Sequence, residues 1–121
     1  MASEFTVTGS LSYLDSENTL AFLQQVGMVD SITTKQFVHN KQNIGTTEEA
    51  IKLGELATIG WAMFKNLGST VCQIKTGTGG TNIITLRAGG FALFYFGSGV
   101  TAPYAISTTT ANQVEYIIFA V

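Results

Sequence analysis

The chain has 121 residues and a net charge of −2, and its charged fraction of 12% is about half of the ~25% usual in soluble domains. Its six basic side chains are spread singly and form no cluster that could neutralise phosphates, so we expect no nucleic-acid binding. No apolar run reaches the ~20 residues of a membrane-spanning helix, and the N-terminal sequence lacks a signal-peptide pattern, so we expect no membrane association.

The first half of the chain indicates extended structure. Residues 5–13 alternate between apolar and polar side chains, as one strand or as two strands of a tight hairpin. Residues 20–29 fit a helix or a strand, and their glycine and β-branched side chains favour the strand, while residues 32–40 read as extended. Thr46 and Glu49 have the spacing of a helix capping box, although a strand after a turn fits this segment equally well.

The second half predicts further short strands separated by glycine-rich turns. They cover residues 59–64, 70–76, 83–86, 91–96, 104–107 and 114–121. Since one domain suits this length, we expect a single domain over residues 1–121. Its predicted fold is all-β, an antiparallel β-sandwich or jelly-roll-like barrel of about eight to ten short strands with at most one helical turn.

Catalytic chemistry finds little support in the sequence. His39 is the single histidine, and nothing brings a nucleophile to it, so we read it as a hydrogen-bonded residue at a strand edge or subunit contact. Cys72 is the single cysteine and is expected to be a buried, reduced thiol. We therefore expect no enzyme activity, no catalytic residues, no cofactor and no metal site, although a metal shared around an oligomer axis through His39 stays open.

Two other sequence patterns allow both a structural and a functional interpretation. The carboxylates of Glu48 and Glu49, or of Asp15 and Glu17, could in principle supply a glycosidase pair, but only if both lined one cleft. The glycine-rich residues 77–81 look like a phosphate loop, yet they lead into a strand rather than a helix. A mobile hairpin tip is the favoured interpretation of that loop.

Residues 91–96 are apolar on both faces of the predicted strand, which is unusual for a sandwich strand with one wet face. We therefore expect one face to pack in the core and the other against a second chain. The apolar C-terminal strand repeats this pattern. The predicted interface residues are Phe91, Leu93, Phe94, Tyr95, Phe96, Tyr116, Ile118 and Phe119.

Several short motifs follow one another in the last eighty or so residues. They are NIGTTEEAIKLG at 43–54, GWAMFKNL at 60–67, LRAGGFALF at 86–94, APYA at 102–105 and VEY at 114–116. In this order they resemble the small virion structural proteins of tailed bacteriophages. Residues 70–73 depart from that pattern, because the family tends to carry an aromatic after the preceding Asn-Leu turn.

The resemblance implies a non-enzymatic building block of the virion, assembled in the host cytoplasm. The expected role is a capsid decoration or cement protein that forms a symmetric homo-oligomer, with a trimer favoured, and that binds the major capsid or tail proteins. A tail, neck or fibre-associated component is the alternative. A further alternative is a jelly-roll module that binds host glycans through Trp61, Tyr13, Tyr95 or Tyr104, although a buried core position is the favoured interpretation of Trp61.

Overall fold

A computed structural model describes residues 3–14, 16–17, 20–32, 36–97, 99–109 and 112–120. The chain divides into two compact units, residues 1–34 and residues 35–121. The single domain expected over residues 1–121 stays a prediction.

The described residues form ten strands and no helix, which confirms the all-β prediction. The strands are β1 (Ser3–Leu14), β2 (Leu20–Ile32), β3 (Phe37–Ile44), β4 (Glu49–Ala50), β5 (Trp61–Asn66), β6 (Cys72–Lys75), β7 (Asn82–Leu86), β8 (Phe91–Tyr95), β9 (Tyr104–Ser107) and β10 (Asn112–Phe119).

The segment with the apparent capping box is a short strand after a turn. Glu49 begins β4, and its carboxylate accepts a hydrogen bond from the Gly45 N–H at 3.2 Å. Of the two alternatives that Thr46 and Glu49 left open, the strand is therefore the observed one.

The first unit is a two-stranded antiparallel hairpin, here called the long hairpin (β1 and β2). Its register runs from Ser3 opposite Ile32 to Tyr13 opposite Phe22, with an irregularity between Tyr13 and Leu14. Residues 5–13 are therefore one strand rather than two, and the strand favoured for residues 20–29 is confirmed.

The second unit consists of two four-stranded antiparallel sheets, as predicted for a β-sandwich. The first sheet has the strand order β3-β10-β5-β8, and the second has the order β4-β9-β6-β7. A single nested pattern underlies both sheets, because β6 pairs with β7, β5 with β8, β4 with β9 and β3 with β10. Further pairs, β10 with β5 and β9 with β6, complete the two sheets.

The core lies between the two sheets and follows from the alternation of each strand. Strand β10 buries Val114, Tyr116 and Ile118 completely while the residues between them stay half-buried, as the two-residue period of a strand requires. Phe64 of β5 is also fully buried, and its ring lies 5.8 Å from that of Tyr116. Aromatic pairs of this kind add to the hydrophobic stabilisation of the core.

Buried polar groups hold the loops to this core. The Tyr116 hydroxyl donates to the Lys52 carbonyl at 2.8 Å. The side-chain amides of Asn66 and Asn112 both donate to the Thr70 carbonyl, at 2.6 Å and 3.1 Å. Buried polar groups require such partners, and the structure leaves no buried side-chain nitrogen or oxygen unsatisfied among its described residues.

We predict that Gly68→Ala destabilises the protein by about 1–3 kcal/mol, the usual cost of overpacking. A methyl group at Gly68 would overlap the Asn112 side chain, which is buried and cannot move without losing its bond to Thr70. Urea unfolding should show the loss for Gly68→Ala and almost none for Gly45→Ala, where a methyl group meets open space. Equal midpoints for both variants would contradict the prediction.

Candidate functional site

The side of the first sheet that points away from the core is here called the outer face. Because the four strands are antiparallel and in register, alternate residues of each strand share this face. Its apolar side chains are Phe37, Trp61, Met63, Phe91, Leu93, Tyr95, Ile117 and Phe119.

Aromatic residues occupy the same end of all four strands of the outer face. Phe37 begins β3 opposite Phe119, which ends β10, and their rings stack with centroids 5.4 Å apart. Trp61 begins β5 opposite Tyr95, which ends β8, and these rings meet edge to face at 5.5 Å. Both arrangements are favourable geometries for aromatic pairs.

The next row of the outer face is also mainly apolar. Ile117 lies opposite His39 on one side and Met63 on the other, and Met63 lies opposite Leu93. The aromatic row and this row together form a continuous apolar band that crosses all four strands.

Four of the eight apolar side chains of the outer face are exposed to solvent, and the other four are half-buried. Phe37 is 58% exposed, Phe91 64%, Leu93 40% and Tyr95 50%. Single exposed apolar residues are common, but a contiguous group of this kind marks an interaction site. The outer face is therefore the best candidate for a functional site in the sandwich.

Charged residues border the apolar band. Glu115 pairs in register with Lys41 on β3 and with Lys65 on β5. Its carboxylate also lies 2.9 Å from the His39 Nε2, and this hydrogen bond is the main reason why the pKa of Glu115 falls below its ordinary value of 4.5. His39 therefore has the hydrogen-bonded position on an edge strand that the sequence predicted.

The second sheet differs on its solvent side. Gln73 and Lys75 of β6 and Thr85 of β7 alternate with buried residues, and Tyr104 and Ile106 of β9 are half-buried beside them. The side chains of β6 and β7 thus make this surface more polar than the outer face of the first sheet. Most of the exposed large apolar side chains of the sandwich therefore lie on the outer face.

The structure divides the eight predicted interface residues between two environments. Phe91, Leu93 and Tyr95 are exposed on the outer face, and Phe119 is half-buried there. The other four predicted residues belong to the core side. These are Phe96, Tyr116 and Ile118, which are fully buried, and Phe94, which is half-buried with its ring 5.8 Å from Phe64.

This placement corrects the predicted set for a simple reason. Residues 91–96 and 114–121 carry aromatic or aliphatic side chains on both faces, so their sequence alone does not tell which face is buried. Sequence reasoning also missed Phe37, Met63 and Ile117, and it expected Trp61 in the core, whereas Trp61 is half-buried on the outer face. The alternation of residues 61–66 indicates that this strand has two different faces. Only its pairing with β10 shows which of the two faces points away from the core.

The glycine-rich loop at residues 77–81 holds a carboxylate of the protein itself. Glu48 accepts hydrogen bonds from the Lys75 ammonium group at 2.6 Å, the Gly79 N–H at 2.7 Å and the Thr78 hydroxyl at 3.3 Å. The bond from Lys75 is the main cause of the lowered pKa of Glu48. The loop connects two strands, as predicted, and its anion-binding N–H is occupied by Glu48.

The remaining reactive groups have structural positions. Cys72 is fully buried, and burial raises the pKa of its thiol to about 11, so it stays protonated at neutral pH. Glu48 and Glu49 are bound to separate loops, and Asp15 lies outside the described residues. Within the described part of the chain, no group of three or more His, Cys, Asp or Glu side chains could hold a metal ion.

Comparisons with known proteins identify no relative of this chain. No protein-family model matches the chain, and neither does a curated protein or a solved structure. Among the described residues there is no helix of the length and apolar character needed to cross a membrane.

We predict that Glu48→Gln loosens the glycine-rich loop, because it removes the charge that binds Lys75 and the Gly79 N–H. Hydrogen exchange at residues 78–80 should accelerate at pH 7. Since the folded-state pKa of Glu48 is depressed, its stabilising effect is present above pH 4.5 and is lost as the pH falls through that lowered pKa.

The difference in exchange between wild type and variant should therefore shrink on acidification below pH 4.5. Glu55→Gln is the matched control, since Glu55 is an exposed carboxylate in a turn. Identical exchange of wild type and Glu48→Gln at pH 7 would show that Glu48 does not hold the loop.

Proposed function

We propose that this protein is a non-enzymatic structural component of a tailed-bacteriophage virion, and that it self-associates through the outer face of its first sheet. A capsid decoration or cement role is the preferred form of this proposal, and a tail, neck or fibre-associated role is the alternative. The observation that carries it is the group of exposed apolar side chains on the outer face, namely Phe37, Phe91, Leu93 and Tyr95.

The composition supports the same proposal. Protein interfaces are depleted of Lys, Glu and Asp at their centres and enriched in aromatic residues and Met. The outer face has this character, with its charges confined to the row of Lys41, Glu115 and Lys65. A charged fraction of 12% thus fits a chain whose surface meets other protein subunits.

The strand order also supports a place in a virus particle. We interpret the four nested pairs of the sandwich as a jelly-roll winding, in which one long antiparallel ribbon is rolled into two sheets. Viral capsid domains commonly use this winding, as do lectin domains. The motif resemblance within residues 43–116 points to the same class of protein, with the major capsid or tail proteins as further partners.

Leu93→Asp should weaken self-association by about thirtyfold or more, the effect expected for a hot-spot residue of an interface. Leu93 lies on the edge strand β8 between Phe91 and Tyr95 and is 40% exposed, so the substitution should leave the fold intact. Sedimentation at several concentrations measures the association, and circular dichroism checks the fold. Thr85→Asp, on the second sheet, is the control and should assemble like wild type.

A direct test of the virion role uses particles purified from the host culture. Mass spectrometry should detect this chain at a copy number that matches a symmetric position of the particle. Cryo-electron microscopy should then place the two-sheet unit on the head or the tail. Absence of the chain from purified particles, or a wild type that is monomeric at all concentrations, would refute the proposal.

Glycan binding is the second candidate, because Trp61 and Tyr95 lie together at one end of the outer face. Tyr95 also lines a depression of about 340 Å³ near Thr58 and Thr101. Aromatic side chains of this kind can pack against sugar rings. If this function is correct, a host polysaccharide should change the Trp61 fluorescence of wild type, and Tyr95→Ala should abolish the change. An unchanged emission spectrum would exclude this candidate.

A further inference from the structure

The long hairpin has one apolar side and one polar side. Residues opposite each other in an antiparallel pair point the same way, so Val7 and Met28 share a side, as do Gly9 and Val26. Leu11 and Tyr13 lie on the same side, which also carries the polar residues Gln24 and Asp30. Leu11 of this side is 69% exposed and Val26 is 63% exposed.

The opposite side of the hairpin is mainly polar. Its paired positions include Thr8 with Gly27 and Ser10 with Gln25. Leu23 and Val29 are the apolar exceptions, and they lie towards the two ends. A two-stranded hairpin is marginally stable by itself in water, and one with an apolar side needs a covering surface to persist.

Charge separates the two units of the chain. Residues 1–34 contain four acidic side chains and no basic one. Residues 35–121 contain all six basic side chains and four acidic ones. One unit is therefore negative and the other positive, although the net charge of the whole chain is small.

We propose that the long hairpin of one copy packs its apolar side onto the outer face of the first sheet of a second copy. The inference rests on the self-association proposed above and names the two surfaces that meet. Opposite charge favours this pairing, because two long hairpins would bring acidic residues together. Two outer faces would in turn bring their Lys41 and Lys65 side chains together, against one Glu115 in each copy.

The dimensions of the two surfaces agree. At about 3.4 Å per residue, the apolar run from Val7 to Tyr13 is about 20 Å long. The apolar band spans three strand-to-strand spacings of about 4.8 Å, or about 14 Å across the sheet. A hairpin laid across the four strands is therefore long enough to cover the band.

This contact joins two different surfaces, so each copy donates one hairpin and accepts another. Such heterologous contacts close into rings when the rotation between copies permits and otherwise form open chains. A closed ring of three copies is the simplest assembly that agrees with the expected trimer.

A mixing experiment tests the proposal with two variants, Val26→Asp on the hairpin and Leu93→Asp on the outer face. Each variant alone has one defective surface in every contact, so both should be monomeric in sedimentation. In a mixture, the intact hairpin of the Leu93→Asp copy can bind the intact outer face of the Val26→Asp copy. The expected result is a one-to-one heterodimer that grows no further. Ser10→Asp and Thr85→Asp, on the polar side of the hairpin and the second sheet, should assemble like wild type.

Other outcomes overturn the inference in distinguishable ways. If Val26→Asp assembles like wild type while Leu93→Asp does not, outer faces pair with each other, and the proposed self-association survives without the hairpin. If Leu93→Asp assembles normally, the hairpins associate together. If neither assembles and the mixture gives no heterodimer, the hairpin of one copy does not bind the face of another. A monomeric wild type would overturn the proposed function as well.

Cross-linking gives a readout that does not depend on a destabilising charge. Copies with Val26→Cys are mixed with copies with Leu93→Cys and treated with a short bismaleimide. The native Cys72 is fully buried and should not react in the folded protein. A covalent dimer that contains one copy of each variant is expected, and its absence from the mixture, or cross-linked dimers of either variant by itself, would contradict the proposal.

Discussion

The two-residue period of strand β10 is the constraint on which the sandwich depends. This strand is central in the first sheet and pairs with β3 on one side and β5 on the other. It sends Val114, Tyr116 and Ile118 into the core and Glu115, Ile117 and Phe119 to the outer face. A slip of one residue would exchange these two sets. The core and the candidate interaction surface are therefore two sides of one strand, and the packing of one fixes the geometry of the other.

Much of the fold was predictable because alternation and turn residues are local signals. The strand around Cys72, the loop after it and the all-β class all follow from short stretches of sequence. The sidedness of residues 91–96 was not predictable, since Phe91 and Phe94 are equally apolar and only pairing with β5 separates them. The pairing of Phe37 with Phe119 was also not predictable from the sequence, because it depends on two strands that are far apart along the chain.

The low charge content acquires a more specific meaning once the charges are located. Few charges are present, but several of those that are described have defined partners: Glu48 binds Lys75 and the Gly79 N–H of the glycine-rich loop, and Glu115 joins His39 on the neighbouring strand. Counted along the chain, residues 1–34 contain four acidic residues and no basic one. The low charged fraction of the whole chain therefore conceals a difference between its two units, because residues 1–34 are negative and residues 35–121 are positive.

The nested pairing has a consequence for how the protein folds. The β6–β7 hairpin is closed by a short loop, whereas joining β3 to β10 closes a loop of roughly 70 residues, which costs more chain entropy. Folding that begins at β6 and β7 and proceeds outwards reaches β3 and β10 last, and such non-local topologies fold slowly. The outer face contains these two late strands as well as β5 and β8. The proposed self-association would therefore require a complete sandwich in each copy, so this order of folding would delay assembly until the subunits are native.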